Sequence, residues 1–288
     1  MLIENTLFGT TDKVKTAIER LKLFEPKGGY YLAFSGGKDS QCIYHLAKMA
    51  GVKFDAHYNH TTVDPPELIY FIREHYPDVI TEYPSETMWQ LIVRKKFPMT
   101  RQIRYCCEVL KEGGGKGRTV VTGVRWAESV RRKKNRALLE VDANYKHKVM
   151  RNSDNEETRR WFESCSTRHK HILNPIIDWS TENVWDFLHG IDIPYCSLYD
   201  CGYSRLGCIG CPMSGEKGML MDFSRYPKYR TAYVRAFDRM LQNRHESGME
   251  NKLSWKNGED VMDWWVYGGS QIEIDPDQMT FDQYLEEG

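Results

Sequence analysis

The chain has 288 residues with 40 Lys/Arg against 40 Asp/Glu, so it carries no formal net charge and no global attraction to nucleic acid or a membrane surface. A hydrophobic content of 41% over this length is enough for one large α/β domain plus an appendage. No apolar run approaches the roughly 18 residues needed to cross a bilayer, and the opening MLIENTLFGTTDK lacks a basic-then-apolar leader pattern, so a cytoplasmic protein is expected. In a reducing compartment the eight cysteines point to a metal or redox centre rather than to disulfides.

Charge is nevertheless uneven. Arg94 to Arg136 holds 14 Lys/Arg against 3 acids, whereas Glu259 to Gly288 holds 9 acids and no Lys or Arg. A polarised molecule with a basic face over the middle of the chain is expected.

In chain order, Val14, Ala17, Ile18 and Leu21 recur at helical spacing within Thr11 to Phe24. Tyr30 to Phe34 is an apolar strand, and the helix from Ser40 to Ala50 stops at Gly51. Val52 to Tyr58 reads as a second strand. Pro65-Pro66-Glu67 opens a helix to about Tyr76, because proline suits a first turn. Val79 to Tyr83 is a short third strand, Glu86 to Lys96 a helix, and Thr119 to Val124 a fourth strand. The alternation predicts an α/β fold, a doubly wound and mainly parallel sheet.

Beyond Arg131 the pattern loosens. A helix is expected near Glu156 to Ser164, a capped one over Thr181 to Leu188, a cysteine-bearing loop over Gly190 to Gly215, and a helix over Pro227 to Arg244 with Tyr229, Tyr233, Phe237 and Met240/Leu241 on one stripe. The acidic end, with Trp264, Trp265, Tyr267 and Tyr284, reads as a packed cap or a docking tail. The expected domains are residues 1–190, a nucleotide-binding α/β domain, and 191–288, a cysteine-bearing loop with a helical C-terminal extension.

The strand Tyr30 to Phe34 runs into Ser35-Gly36-Gly37-Lys38-Asp39-Ser40 and then a helix. Glycines that accept positive φ let a phosphate approach successive backbone N–H groups and a helix N-terminus together. Lys38 adds a positive charge, and the oxygens of Asp39 and Ser40 are placed to cap the helix or to reach a hydrated Mg²⁺. The four-residue spacer of a Walker A loop is absent. Gly123 stands at the carboxyl end of the fourth strand and Arg125, Glu128 and Ser129 follow it, where ligands of parallel sheets bind. A bidentate Arg125 would clamp an anion there, or else pair with Glu128. His57 and His60 bracket the end of the second strand, and the loop there, with Asn59 and Asp64, is expected to border an adenosine, with Asp64 reaching Mg²⁺ through water.

Cysteines cluster twice: the doublet Cys106-Cys107, and Cys201 followed by the CxxC of Cys208 and Cys211. One CxxC joined to a distant doublet suits an iron–sulfur cluster better than the paired CxxC of a zinc ribbon, though zinc stays open. Cys42, Cys165 and Cys196 read as ordinary cysteines.

The SGGKDS loop resembles the pyrophosphate loop of the ATP pyrophosphatase superfamily. Further on, Arg104-Tyr105-Cys106-Cys107 with Lys111, Gly123 to Ser129, Asn174-Pro175-Ile176 through Trp179, and Leu198 to Tyr203 leading into the CxxC occur in the order seen in the phosphoadenosine phosphosulfate (PAPS) reductase family, over about Tyr30 to Gly215. The resemblance implies an adenine nucleotide α-hydrolase-like fold and ATP split between its α and β phosphates. It also implies a [4Fe-4S] cluster on Cys106, Cys107, Cys208 and Cys211, with Cys201 as rival to Cys107 for the fourth place. Reductases of the family that cleave adenylyl sulfates resemble one another in a tail cysteine and a modified phosphate loop. The sequence given has no cysteine after Cys211 and an unmodified SGGKDS.

The expected protein is therefore an ATP-using member similar to DNA phosphorothioation and tRNA thiolation enzymes. Its cofactors would be ATP, Mg²⁺ and the cluster, with Lys38, Asp39 and Arg125 catalytic. The basic segments Arg94 to Lys96, Arg101, Arg104 and Arg131 to Arg136, together with Arg168 to His171, would suit a polyanionic acceptor such as DNA or tRNA, and a cysteine desulfurase is a candidate sulfur donor. A PAPS or adenylyl-sulfate reductase borrowing a partner's thiol is the first rival, and a nucleotide sensor with a structural cluster the second.

Overall fold

The computed structural model describes residues 2–6, 9–142, 148–164, 170–249 and 255–268. They form two compact units, one of residues 1–85 with 106–208 and one of 86–105 with 209–288. This division differs from the expected boundary at 190/191. The cysteine loop as far as Cys208 belongs with the sheet, and the segment holding the helix after the third expected strand belongs with the C-terminal helices.

In the first unit a small antiparallel hairpin, β1 (Ile3–Thr6) and β2 (Gly9–Asp12), leads into α1 (Lys13–Leu23), whose first turn is capped by Asp12 accepting from Val14 N and Lys15 N. There follow β3 (Tyr30–Phe34), α2 (Lys38–Ala50), β4 (Phe54–Asn59), α3 (Pro66–His75) and β5 (Ile80–Glu82). Gly51 ends α2 with φ of 69°, as the helix stop at that glycine requires. After α4 (Met88–Lys95), which lies in the second unit, come α5 (Tyr105–Leu110), β6 (Thr119–Val121), α6 (Val130–Asn135), β7 (Leu139–Asp142), β8 (Lys148–Arg151), α7 (Glu156–Ser164), β9 (Lys170–Leu173) and α8 (Thr181–Gly190). The Ser180 hydroxyl caps α8 by accepting from Asn183 N.

The main sheet has seven strands in the order β5-β4-β3-β6-β9-β7-β8. β5, β4, β3, β6 and β9 are parallel, while β7 runs antiparallel to β9 and β8 antiparallel to β7. The α/β class and the mainly parallel sheet are borne out. The segment whose pattern is loosest, Asn135 to Lys170, supplies the antiparallel edge. Leu138 and Leu139 are fully buried, but the alternation is only four residues long in each strand, too short to stand out from the charged residues around it.

The strand order decides where the site lies. From β3 the chain moves outward through β4 and β5, then returns to the other side of β3 with β6 and continues to β9. The reversal opens a crevice at the carboxyl ends of β3 and β6, where open parallel sheets bind ligands. Leu32, Ile43, Leu46, Val121, Leu173 and Ile176 have no exposed surface and fix those strand ends against α2 and the turn before α8.

In the second unit α9 (Gly215–Arg225), α10 (Pro227–Glu246) and α11 (Gly258–Tyr267) pack with α4. The expected stripe of α10 is a core face at Tyr233, Phe237 and Met240, and Trp265 of α11 closes on it with its indole N–H donating to Met99 O at 2.6 Å. Trp265 is thus part of a packed cap, while Tyr284 lies outside the described residues. Among the described residues no helix is long and apolar enough to cross a membrane.

Candidate functional site

The Ser35–Ser40 loop occupies the crevice between β3 and β6. Gly36 takes φ of 70°, and a Cβ there would lie 2.6 Å from Leu68 Cδ1 and 2.8 Å from Ile72 Cδ1, so only glycine lets α3 close beneath the loop. Gly37 is the N-cap of α2 and has no side chain with which to satisfy the first amides. Ser35 and Ser40 brace the turn. The Ser35 backbone N–H and hydroxyl both reach Ser40 Oγ, at 3.1 and 3.2 Å, while Ser40 Oγ donates to Gly37 O at 2.8 Å.

Gly123, just past β6, stands against the start of α2. A Cβ there would be 2.8 Å from the Asp39 carbonyl oxygen. This close approach joins the two strand ends into one wall. A cavity of about 180 Å³ lies against it, lined among others by Ser35, Lys38, Asp39, Glu128, Arg132 and Arg205. That volume suits the phosphate end of a nucleotide rather than the whole molecule, since ligand pockets generally exceed about 300 Å³. A larger cavity of about 710 Å³ opens by Gly28, Gly29, Arg118 and Thr119, at the amino ends of β3 and β6, away from the loop. Chemistry, not size, decides between them: Arg118 is held there by Asp55 and by the Tyr30 carbonyl, at 2.8 Å for the latter.

Arg125 is only 2% exposed and does not line the phosphate cavity. Its Nε donates to Asp39 Oδ1 at 2.7 Å and its NH1 to Trp179 O at 3.2 Å, so the expected clamp is turned inward onto Asp39. Its backbone N–H donates to Glu128 Oε2 at 2.9 Å. Glu128 in turn pairs with Arg132, and Ser129 accepts from Arg132 N at 3.1 Å as the N-cap of α6, so Glu128 and Ser129 together aim Arg132 at the cavity. Asn59 donates to Lys111 O at 3.3 Å, and its position beside α5 ties the end of β4 to the cysteine doublet.

Three side chains absent from the expected site belong to it. Tyr199 accepts from Lys38 N at 2.9 Å, and Lys38 Nζ lies 5.6 Å from the centre of its ring. Burial pushes the Tyr199 phenol up from its ordinary range. Lys38 Nζ also donates to Ser204 O at 3.1 Å and lies 3.5 Å from Asp39 Oδ2. Arg132 and Arg205 are the other two. Tyr199 lies within the motif Leu198 to Tyr203, which is the available signal for it, whereas Arg205 lies just beyond that motif.

The remaining expectations fall out unevenly. His57 is buried between Asp55 and Glu82 and stacks on Tyr31 at 4.1 Å, and Asp64 is buried, accepting from Thr61 N at 2.6 Å. His171 is likewise buried on β9 against Phe162, not on a basic surface, while Arg168 and His169 lie outside the described residues. The basic segments are divided: Arg94, Lys95, Lys96, Arg101 and Arg104 belong to the second unit and Arg131 to Arg136 to the first.

Cys106, Cys107 and Cys208 belong to the first unit and Cys211, three residues on, to the second. All four are part-buried, whereas Cys201 is exposed and Cys42 and Cys196 are buried. Lys111 lies within reach of Cys208 and Cys107 of the first unit. The negative charge of the Cys208 sulfur raises its pKa against the opposing effect of burial, with Asp64 and Cys107 adding to the rise. Cys208 Sγ donates to Thr61 Oγ1 at 3.4 Å. Cys107 and Cys208 are soft donors of the kind that bind iron–sulfur clusters, yet among the described residues no three His, Cys, Asp or Glu stand where one metal ion would hold them. Cys165 lies outside the described residues.

A parallel sheet with a glycine turn and three cations at its switch point defines a protein of the phosphate-binding, nucleotide-handling α/β class. The chain belongs to the phosphoadenosine phosphosulfate reductase domain family, whose model matches residues 29–214. An uncharacterized protein of Methanocaldococcus jannaschii is 26% identical over 70% of this chain and 46% of its own length, and a second from that organism is 27% identical over 68% and 39%. The chain thus spans less than half of those two relatives. An adenosine 5'-phosphosulfate reductase of Bacillus cereus is 25% identical over 74% of this chain and 87% of that protein. Among solved structures, PAPS reductase from Candida auris in a phosphate complex overlaps 67% of this chain and 88% of its own, with a TM-score of 0.45 and 16% identity.

Proposed function

We propose that the protein is an ATP pyrophosphatase of the PAPS reductase family that adenylates an acceptor and supports sulfur transfer to it. The observation that carries this reading is the glycine loop at the β3–β6 switch point, whose amides, Lys38 and the Ser35–Ser40 brace surround a cavity of phosphate size. In the reaction an acceptor oxygen attacks the α-phosphorus of ATP. The bond to the bridging oxygen breaks, its electron pair leaves with pyrophosphate, and the acceptor proton passes to solvent. Lys38, Arg132 and the loop amides offset the charge on the departing pyrophosphate.

Asp39 and Glu128 are the carboxylates on the cavity lining and would hold Mg²⁺. Arg125 acts through Asp39 as a positioning residue. The outer sulfur of a donor persulfide, such as that of a cysteine desulfurase, then displaces AMP from the activated acceptor, and a thiol reductant cleaves the resulting S–S bond to release the donor. Cys106, Cys107, Cys208 and Cys211, with Cys201 as the alternative fourth ligand, would hold a [4Fe-4S] cluster that binds or orients the sulfur when present. The exposed cations of α6, Arg131, Lys133 and Lys134, favour a nucleic acid as acceptor.

Pyrophosphate release from Mg-ATP in the presence of DNA or tRNA, abolished in Lys38→Ala, tests the reading. Iron and sulfide analysis of anaerobically purified protein tests the cluster. The likeness to adenosine 5'-phosphosulfate reductases across most of their length favours a second reading, sulfite formation from an adenylyl sulfate with a partner's thiol. Sulfite released from adenylyl sulfate and thioredoxin without ATP would establish that reading and overturn the first. Tight ATP binding with no pyrophosphate under any acceptor would indicate a sensor instead.

A further inference from the structure

The cations around the phosphate cavity are not equally committed. Lys38 is 5% exposed, close to Asp39 and bonded to Ser204 O; Arg125 is bonded to Asp39; Arg132 is paired with Glu128. Each of the two carboxylates on the lining is thereby claimed. Arg205 also lines the cavity, and among the described residues no carboxylate pairs with it.

Its placement is not that of a loose surface arginine. The segment before it crosses the phosphate loop and is pinned there twice, by Tyr199 Oη accepting from Lys38 N and by Ser204 O accepting from Lys38 Nζ. Backbone turns stiffen the span between, with Cys201 N and Tyr203 N both donating to Leu198 O, and Gly202 N to Tyr199 O. A guanidinium carried on such a strap, adjacent to one of the pinning residues, is delivered to the rim of the cavity with little ordering left to do on binding.

We propose that Arg205 reads the length of the phosphate chain, its guanidinium binding the terminal phosphate of a nucleoside triphosphate across the cavity from the glycine loop. The inference rests on the ATP reading above and adds to it the group that selects a triphosphate over AMP or an adenylyl sulfate. An arginine fork suits a phosphate bidentately, where a lysine offers a point charge.

Titration calorimetry of the full chain with Mg-ATP, ADP, AMP and adenylyl sulfate tests it, in the wild type and in Arg205→Ala and Arg205→Lys. Arg205→Ala is expected to weaken ATP about ten- to a hundredfold, the range of a charge-assisted hydrogen bond, with a smaller loss for ADP and a change for AMP within about twofold. Arg205→Lys should fall between. Thermal unfolding of each variant should match the wild type, because the side chain is exposed. Equal losses for all four ligands, or an unchanged ATP affinity, would overturn the proposal while leaving the ATP reading intact. A wild type that binds adenylyl sulfate but not ATP overturns that reading and this proposal together, before any variant is considered.

Discussion

Arg125 Nε lies 2.7 Å from Asp39 Oδ1, joining the segment that follows β6 to the first turn of α2 through a guanidinium that is only 2% exposed. A charge this deep is tolerated because its partner and the Trp179 carbonyl meet it there. Removing Arg125 leaves Asp39 with only the more distant Lys38 Nζ, at 3.5 Å, to offset its charge. Arg125→Met is therefore expected to destabilise the first unit by about 3 kcal/mol in urea unfolding, and to abolish nucleotide binding because Asp39 is no longer held. Arg125 as a direct phosphate ligand predicts the opposite pattern, lost binding with normal stability.

Tyr199 raises a different question, because its hydroxyl takes the Lys38 amide that the loop would offer to a phosphate. Tyr199→Phe removes one hydrogen bond to a backbone N–H and should cost about 1 kcal/mol of stability. With the amide released, pyrophosphate should bind as well as or better than in the wild type. A large loss of pyrophosphate affinity in Tyr199→Phe would mean that the hydroxyl itself contacts the ligand.

The two glycines that shape the wall give a paired test. Gly36→Ala forces a Cβ against Leu68 and Ile72 at positive φ, and Gly123→Ala forces one against the Asp39 backbone. Each should cost on the order of 1–3 kcal/mol. Gly37→Ala, whose Cβ would meet only Ser35 Oγ and Tyr199 Oη at 3.5 Å, should fold normally. Denaturation midpoints in the order wild type, Gly37→Ala, then the other two check the argument. A Gly36→Ala protein as stable as the wild type would show that α3 does not close beneath the loop.

Much of this is legible in the chain itself, for a physical reason. Tyr30 to Ser40 couples an apolar strand, a glycine turn and a helix start in eleven consecutive residues, so fold and site announce themselves through local chemistry. The stripe Tyr233, Phe237 and Met240 is readable because helical spacing repeats over twenty residues of α10. The antiparallel edge is not, because β7 and β8 are four residues each and β7 is placed in the sheet by β9 some thirty residues away. Arg125 reads as a phosphate clamp because its position at a strand end is visible and the reach of Asp39 across 86 residues is not. Arg205 escapes notice because an isolated arginine in a loop carries no spacing signal. Only the strap that fixes it gives it a place.

His45 on α2 supplies a pH test of the same wall. Burial, with Lys48 adding to it, lowers its pKa from 6.5 to about 4, and its Nε2 is 3.1 Å from Tyr76 Oη. The neutral imidazole is thus the folded form. Between pH 6.5 and about 4 the unfolded chain takes up a proton that the folded chain refuses, so stability falls as pH falls through this window and levels off below it. With partial solvent exposure allowed for, the contribution is on the order of 2 kcal/mol. Urea unfolding at pH 7, 5.5 and 4.5 should show the wild type losing more stability than His45→Gln by about that amount, since glutamine keeps a hydrogen-bonding side chain without the titration. Parallel pH profiles for the two proteins would mean that His45 titrates freely and that the α2–Tyr76 contact is open to water.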